Sequence, residues 1–152
     1  MVIINNKQPL PIDTISLHNT STIVLNFLGY QNFDLAILLV TNEDMQVYNK
    51  KFRSIDKPTD VLSFPFFEHI KPGERLKPTC ADEYILGDII MAPLYIQDTV
   101  EQQNDTFEHR LLVLLVHSIC HLLGYDHIDD ADFVLMDAEE KRILAHIQKV
   151  VE

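Results

Sequence analysis

The sequence predicts an α+β fold in which about four strands form one mixed sheet packed with helices. Three observations support this prediction. Short apolar runs of strand length, rich in β-branched residues, recur along the chain, and apolar residues at helical spacing lie between them. The composition, 47% hydrophobic and 23% charged, is ordinary for a soluble domain. We therefore expect residues 1–152 to form a single domain with a substantial core.

The first half of the chain predicts two strands and two helices. Residues 1–6, MVIINN, are expected to form a strand, and the helix that follows is closed by Gly29. Residues 33–40, FDLAILLV, are a nearly continuous apolar run, which favours a central strand covered on both faces. Thr41 begins a capping pattern that opens a short helix through about Phe52.

The middle of the chain predicts two more strands separated by a long connection. Residues 61–66 form the first of them, and residues 84–92, YILGDIIMA, form the second. Residues 68–83 lack periodicity, so we expect a mobile lid or a binding loop there. Pro93 is suited to the first position of a helix that runs to about Gln103.

Two helices are expected in the last third. Asp105, with Glu108 three residues later, resembles a capping box and opens the first of them. Three aspartates, Asp129, Asp130 and Asp132, supply the N-terminal chemistry of the second. No apolar run reaches the length of about 18 residues that predicts a membrane span.

The segment LLVLLVHSICHLLGYDH, residues 111–127, predicts a metal site. A lone histidine is usually an ordinary core or surface residue. Here His117 and His121 are four residues apart, which on a helix places both imidazoles on one face. Gly124 readily adopts the left-handed conformation that ends a helix, so the chain can bring His127 to the same ion. Three histidines without a fourth protein ligand are typical of a catalytic zinc site, with one Zn²⁺ per chain.

The number of cysteines and the net charge limit the compartment and the binding partners that we expect for this protein. Cys80 and Cys120 are too few for a disulfide framework and suit a reducing cytoplasm. Cys120 lies off the histidine face, so we expect a buried structural thiol. The net charge of −11 argues against broad, charge-driven binding of nucleic acid. Residues 50–77 differ from the rest, because they hold seven basic and four acidic side chains.

Three stretches together resemble the YbeY family of bacterial and organellar endoribonucleases: RSIDKPTDVLSFP (53–65), LGDIIMAP (86–93) and HSICHLLGYDH (117–127). The resemblance implies a metzincin-like three-histidine zinc site at His117, His121 and His127. It also implies cleavage of single-stranded RNA, a role in maturing ribosomal RNA, notably the small-subunit 3′ end, and a role in ribosome quality control. The partners expected from it are RNA and the ribosome or its small subunit.

The resemblance also points to Arg53, which occupies the position of a functionally important arginine in the family. Our hypothesis is that zinc activates a water, because three neutral imidazoles lower its pKa to roughly 7, and that Arg53 clamps the scissile phosphate. An ordinary salt bridge from Arg53 to Asp56 is the alternative. Three lysines, Lys50, Lys51 and Lys57, are expected to steer the RNA strand. Asp126 has two possible roles. It either acts at the site, by orienting a ligand imidazole or by accepting a proton, or it only stabilises the turn.

Two other functions are considered. The first is a non-catalytic, zinc-containing factor associated with the ribosome, in which Cys80 or one of His18, His69, His109 and His146 completes a structural site. The second is a metalloprotease. Zincin proteases have a glutamate directly after the first histidine as the general base, and this chain has Ser118 there, where the YbeY family usually has glycine. The protease is therefore the weaker alternative.

Overall fold

The computed structural model describes residues 1–152, and its helices and strands follow the predicted order. The four strands are β1 (Val2–Asn6), β2 (Asp34–Leu39), β3 (Val61–Pro65) and β4 (Ile85–Met91). The five α-helices are α1 (Thr14–Leu28), α2 (Asn42–Arg53), α3 (Pro93–Val100), α4 (Phe107–Leu122) and α5 (Asp130–Val151). None of these helices combines the length and the apolarity needed to cross a membrane.

The strands form one mixed sheet in the order β1-β2-β4-β3. Strand β2 pairs in parallel with both β1 and β4, whereas β3 runs antiparallel to β4. This confirms the predicted α+β fold with a four-stranded mixed sheet. Because β3 is an edge strand, one side of its backbone is free to face other groups.

One face of the sheet is fully covered. Leu35, Ile37 and Leu39 of β2 are at most 1% exposed and belong to the main core, together with Leu115 and Ile119 of the helix α4. On the opposite face Ala36 and Leu38 are only half-buried. The prediction that residues 33–40 are covered on both faces is therefore wrong for the second face, because the short helix α2 covers only part of it.

The start of α4 differs from the prediction by one residue. Thr106, not Asp105, is the N-cap, and its hydroxyl accepts the backbone N–H of His109 at 3.2 Å. Phe107 and Leu111 of this helix are half-buried and pack against the main core. Asp105 instead accepts a hydrogen bond from the ring of His109 at 2.8 Å, and that bond lowers the pKa of Asp105.

The connection over residues 68–83 is packed onto the protein. Leu76 is only 4% exposed and belongs to the main core. Arg75 donates to the carbonyl oxygens of Leu28, at 2.8 Å, and of Gly29 at the end of α1. These hydrogen bonds from Arg75 attach residues 68–83 to the end of α1.

Candidate metal centre

Three histidines converge at the C-terminal end of α4. The Nε2 atoms of His117 and His121 are 3.1 Å apart, and one ligand atom from each of His117, His121 and His127 lies within 4.8 Å of the others. His117 and His121 are half-buried, and His127 is exposed. The spacing of four residues on one helix face thus produces the predicted convergence, and the three side chains form a group that can hold a metal ion.

The turn after α4 brings His127 to the other two histidines. The N–H of Gly124 donates to the carbonyl of His121, and the N–H of Tyr125 donates to the carbonyl of Cys120, both at 3.1 Å. This is the Schellman arrangement. Gly124 has φ +93°, and a Cβ there would lie 2.2 Å from the carbonyl oxygen of Ile70. Glycine is therefore required both by the turn and by the packed 68–83 segment.

Two acceptors orient the imidazoles of the helix. Nδ1 of His117 lies 3.0 Å from a carboxylate oxygen of Glu140 on α5, and Nδ1 of His121 lies 3.0 Å from the carbonyl oxygen of Tyr125. Because both acceptors are oxygens, the protons belong on the two Nδ1 atoms, and both Nε2 lone pairs point into the same space. A cation bound between these two nitrogens, which are 3.1 Å apart, would satisfy both lone pairs. The donor set therefore fits a metal ion.

The surroundings of His121 favour its neutral form. Burial lowers the pKa of His121, and the positive charge of a protonated His117 would lower it further. A neutral imidazole has the free lone pair that a metal ligand needs. The environment of His121 is thus suited to binding a metal instead of a proton.

Glu140 is a residue of the site that the sequence did not predict. It lies 23 residues from His117 on a different helix, and its side chain is 19% exposed. The adjacent Glu139 instead bonds to Arg142, with its oxygens 2.6 and 3.1 Å from two guanidinium nitrogens. The sequence shows two consecutive glutamates, but no local pattern indicates which one faces the histidines.

The three histidines line a cavity of about 690 Å³ that also contains two arginines. Arg53 reaches it from the end of α2, and Arg110 reaches it from α4, where it lies 3.5 Å from Asp60. Asp126 also lines the cavity. The site therefore combines a potential metal centre with guanidinium groups that can bind oxyanions.

Arg53 forms no ion pair with a carboxylate. Its guanidinium donates to the carbonyl oxygens of Ser63, at 3.0 Å, and Phe52, at 3.2 Å, and lies 5.1 Å from the centre of the Phe64 ring. The alternative prediction, a salt bridge from Arg53 to Asp56, is wrong. Asp56 instead pairs with Lys50 at 3.4 Å. The guanidinium is thus held at the sheet edge without neutralisation of its charge.

The lysines and Asp126 lie apart from the imidazole rings. Lys50 and Lys51 line a separate shallow pocket on the outer side of α2, and Lys57 is exposed in the following turn. Asp126 accepts the backbone N–H of His127 at 2.8 Å, so its contact is with the turn backbone and not with a ligand imidazole. The orienting contacts to the rings come from Glu140 and Tyr125 instead.

No fourth histidine or cysteine joins the group. His109 bonds to Asp105, and His146 stacks on Phe27 with ring centres 4.0 Å apart. Cys80 is exposed and outside the group. Cys120 is fully buried, as predicted, and burial raises the pKa of its thiol. The three histidines alone form the cluster, which is the composition expected when one coordination position stays open.

These features match one protein family. The family model described as Endoribonuclease YbeY matches residues 3–148. The chain belongs to the endoribonuclease YbeY family. The family predicted from the three motifs is therefore confirmed, and so is the relationship to enzymes named as endoribonucleases.

YbeY relatives cover nearly the whole chain. Endoribonuclease YbeY of Homo sapiens is 40% identical over 144 residues, which cover 95% of this chain and 86% of the human protein. Endoribonuclease YbeY of Caldicellulosiruptor saccharolyticus is 35% identical over 150 residues, with coverage of 95% and 94%. The solution structure of a Thermotoga maritima protein is similar with a TM-score of 0.65 and 26% identity, over 97% of this chain and 89% of that one.

Ser118 occupies the position after the first histidine. It is 0% exposed, and its hydroxyl has no hydrogen-bond partner. The side chain therefore lies in the protein interior and is not among the residues that line the cavity. A residue in this position does not contribute to chemistry at the histidines.

Proposed function

We propose that this protein is a zinc-dependent endoribonuclease that cleaves single-stranded RNA, with one Zn²⁺ held by His117, His121 and His127. The observation that supports it best is the convergence of three imidazoles in a cavity that also holds Arg53, in a chain of the YbeY family. When bound by three neutral imidazoles, zinc supplies a Lewis acid and a water whose pKa is lowered to about 7.

The chain's own residues would orient the ligands and the substrate. Glu140 and the Tyr125 carbonyl hold the two helical imidazoles in the tautomer that exposes Nε2. Arg53 would bind the non-bridging oxygens of the scissile phosphate, because a planar guanidinium matches two phosphate oxygens and no carboxylate competes for it. Asp126, on the cavity wall, is the proposed proton acceptor.

Lys50, Lys51 and Lys57 would steer the RNA strand toward the cavity. The ion pair between Lys50 and Asp56 does not prevent this, because both side chains are more than half exposed. Ion pairs between exposed side chains are weak and are screened by salt, so this pair does not hold Lys50 firmly in place. Steering by these lysines would weaken as the salt concentration rises.

The cellular role that we propose is maturation of ribosomal RNA, notably the small-subunit 3′ end, together with ribosome quality control in the cytoplasm. The net charge of −11 makes efficient capture of naked RNA by this chain unfavourable. Delivery of the RNA on the ribosome or its small subunit would overcome that repulsion. Weakly salt-dependent, tight binding to naked RNA would contradict this role for the ribosome.

The two alternatives have less support. A structural zinc site normally closes with four protein ligands, and the histidine cluster contains three. A metalloprotease needs a general base next to the first histidine, whereas Ser118 is buried with its hydroxyl in the core. The family description, Endoribonuclease YbeY, favours an enzyme that cleaves RNA over a non-catalytic factor or a protease.

The first experiment is cleavage of end-labelled single-stranded RNA by the zinc-loaded protein. His121→Ala, purified identically, controls for contaminating nucleases. We expect cutting by the parent alone and one zinc per parent chain by elemental analysis. If the parent holds one zinc per chain and still leaves the RNA intact, the proposed activity of the isolated protein is wrong.

Arg53 is tested by two substitutions. Arg53→Ala should abolish cleavage while the zinc content stays at one per chain, since Arg53 makes no contact with the histidines. Arg53→Lys keeps the charge but loses the planar fork, so we expect only partial recovery. Unchanged cleavage by Arg53→Ala would remove the phosphate-binding role.

A further inference from the structure

The second face of the sheet contains an open apolar groove that the proposed cleavage site does not use. Its walls include Ile3, Leu38, Tyr48, Phe52, Phe64 and Asp88, and its volume is about 530 Å³. Ile3 on β1 is 50% exposed and Phe52 on α2 is 46% exposed, so large apolar side chains are open to solvent on both sides of the groove. The helix α2 covers only one end of this face.

Aromatic rings form a row along the groove. The rings of Tyr48 and Phe52 are nearly parallel, at 12°, with centres 6.4 Å apart, and Phe52 meets Phe64 with centres 5.0 Å apart. Cationic side chains flank the row: the Lys51 ammonium lies 5.1 Å from the centre of Phe52, and Arg53 lies 5.1 Å from the centre of Phe64. Phe52 is exposed, and Tyr48 and Phe64 are half-buried. Solvent-accessible rings next to cations are the combination that binds unpaired nucleotides.

The row is continuous with the histidine cavity across the edge strand β3. Phe64 lies between Ser63 and Pro65, which line the cavity on the other face of the sheet. Arg53 contacts both sides, because it donates to the Ser63 carbonyl and packs over the Phe64 ring. A chain that places a phosphate at Arg53 can therefore reach the histidines in one direction and the aromatic row in the other.

We propose that Tyr48, Phe52 and Phe64 form a stacking surface for the unpaired bases that flank the cleavage site in single-stranded RNA. This inference rests on the proposed function and adds to it a basis for selecting single strands, since bases in a duplex are not available to stack on the rings. Asp88 lies in the groove and would repel phosphates. That repulsion favours uncharged bases inside the groove and phosphates at the edge, beside Lys51 and Arg53.

The test uses a short single-stranded RNA containing 2-aminopurine, whose fluorescence is quenched when the base stacks. The RNA is titrated into the protein in the presence of a chelator, so that no metal-dependent cutting occurs. We expect quenching with the parent and with Phe52→Trp. Phe52→Ala and Phe52→Leu should lose the quenching and bind about 5- to 150-fold more weakly, as for loss of one stacked base.

Phe52→Leu keeps an apolar side chain at this position, and its thermal unfolding reports whether the fold is intact. Val47→Ala is the matched control, because Val47 is 63% exposed on the same helix but lies outside the aromatic row. Equal quenching and affinity in the parent, Phe52→Leu and Val47→Ala would overturn the inference, even if the parent cleaves RNA.

Two further results distinguish a failure of the stacking surface from a failure of the proposed cleavage. A dimer of the parent that dissociates in Phe52→Leu, as seen by sedimentation, would assign the groove to a second copy of the chain and overturn the inference. Quenching that depends on Phe52 in the titration, together with no RNA cutting by the fully zinc-loaded parent in the separate cleavage assay, would retain the stacking surface and refute the proposed cleavage.

Discussion

Replacement of Glu140 tests whether a carboxylate on α5 strengthens zinc binding by the three histidines. Glu140 accepts a hydrogen bond from Nδ1 of His117 at 3.0 Å, and its side chain is 19% exposed. Glu140→Gln keeps an acceptor oxygen but removes the charge, whereas Glu140→Ala removes both. We therefore expect the zinc affinity to fall in the order parent, Glu140→Gln, Glu140→Ala.

The magnitudes follow from the strength of the hydrogen bond. A bond to a charged acceptor contributes about 1.5–3 kcal/mol and a neutral one about 0.5–1.5 kcal/mol, so Glu140→Gln should lose about 1 kcal/mol, or roughly 5-fold in zinc affinity. Glu140→Ala should lose about 10- to 100-fold, the range found when a residue that supports a ligand histidine is removed. Solvent screening is small because both side chains are less than a third exposed.

Zinc affinity is measured by competition with a chromophoric chelator at fixed pH and ionic strength. Glu139→Gln is the matched control, because Glu139 is the neighbouring glutamate on α5 and its carboxylate bonds to Arg142. The unfolding free energy of each metal-free variant separates metal affinity from stability. Equal zinc affinity of Glu140→Ala and the parent, or an equal loss in Glu139→Gln, would refute the role of Glu140.

Three further predictions concern packing and reactivity. Ser118→Ala should raise the unfolding free energy by about 1 kcal/mol in denaturant titrations, because it removes a buried hydroxyl without a partner; a loss of stability would contradict this. Gly124→Ala should cost at least about 1–2 kcal/mol, because alanine is strained at φ +93° and its Cβ would overlap the Ile70 carbonyl, and it should weaken zinc binding; parent-like values would refute it. A thiol reagent should label Cys80 rapidly and Cys120 only after denaturation, since burial raises the pKa of Cys120; two fast thiols would exclude this.

Several features could be predicted because they depend on residues close together in the chain. The i, i+4 spacing places His117 and His121 on one helix face, and Gly124 provides the left-handed turn, so the ligand group follows from local geometry. The apolar runs gave the four strands to within one residue at each end. At the start of α4 two adjacent residues, Asp105 and Thr106, are of types that cap helices, and only the structure identifies Thr106 as the N-cap.

Other features depend on how distant elements pack, which no local pattern encodes. Glu140 reaches His117 from another helix, Lys50 is paired with Asp56, and the second face of the sheet stays open beside Phe52. The sequence by itself determined the metal-ligand group and the family, because both are encoded in short motifs. Only the tertiary structure decided which glutamate orients the ligand and which aromatic side chains remain exposed, because contacts between elements depend on their relative orientation and on the space that helices leave uncovered.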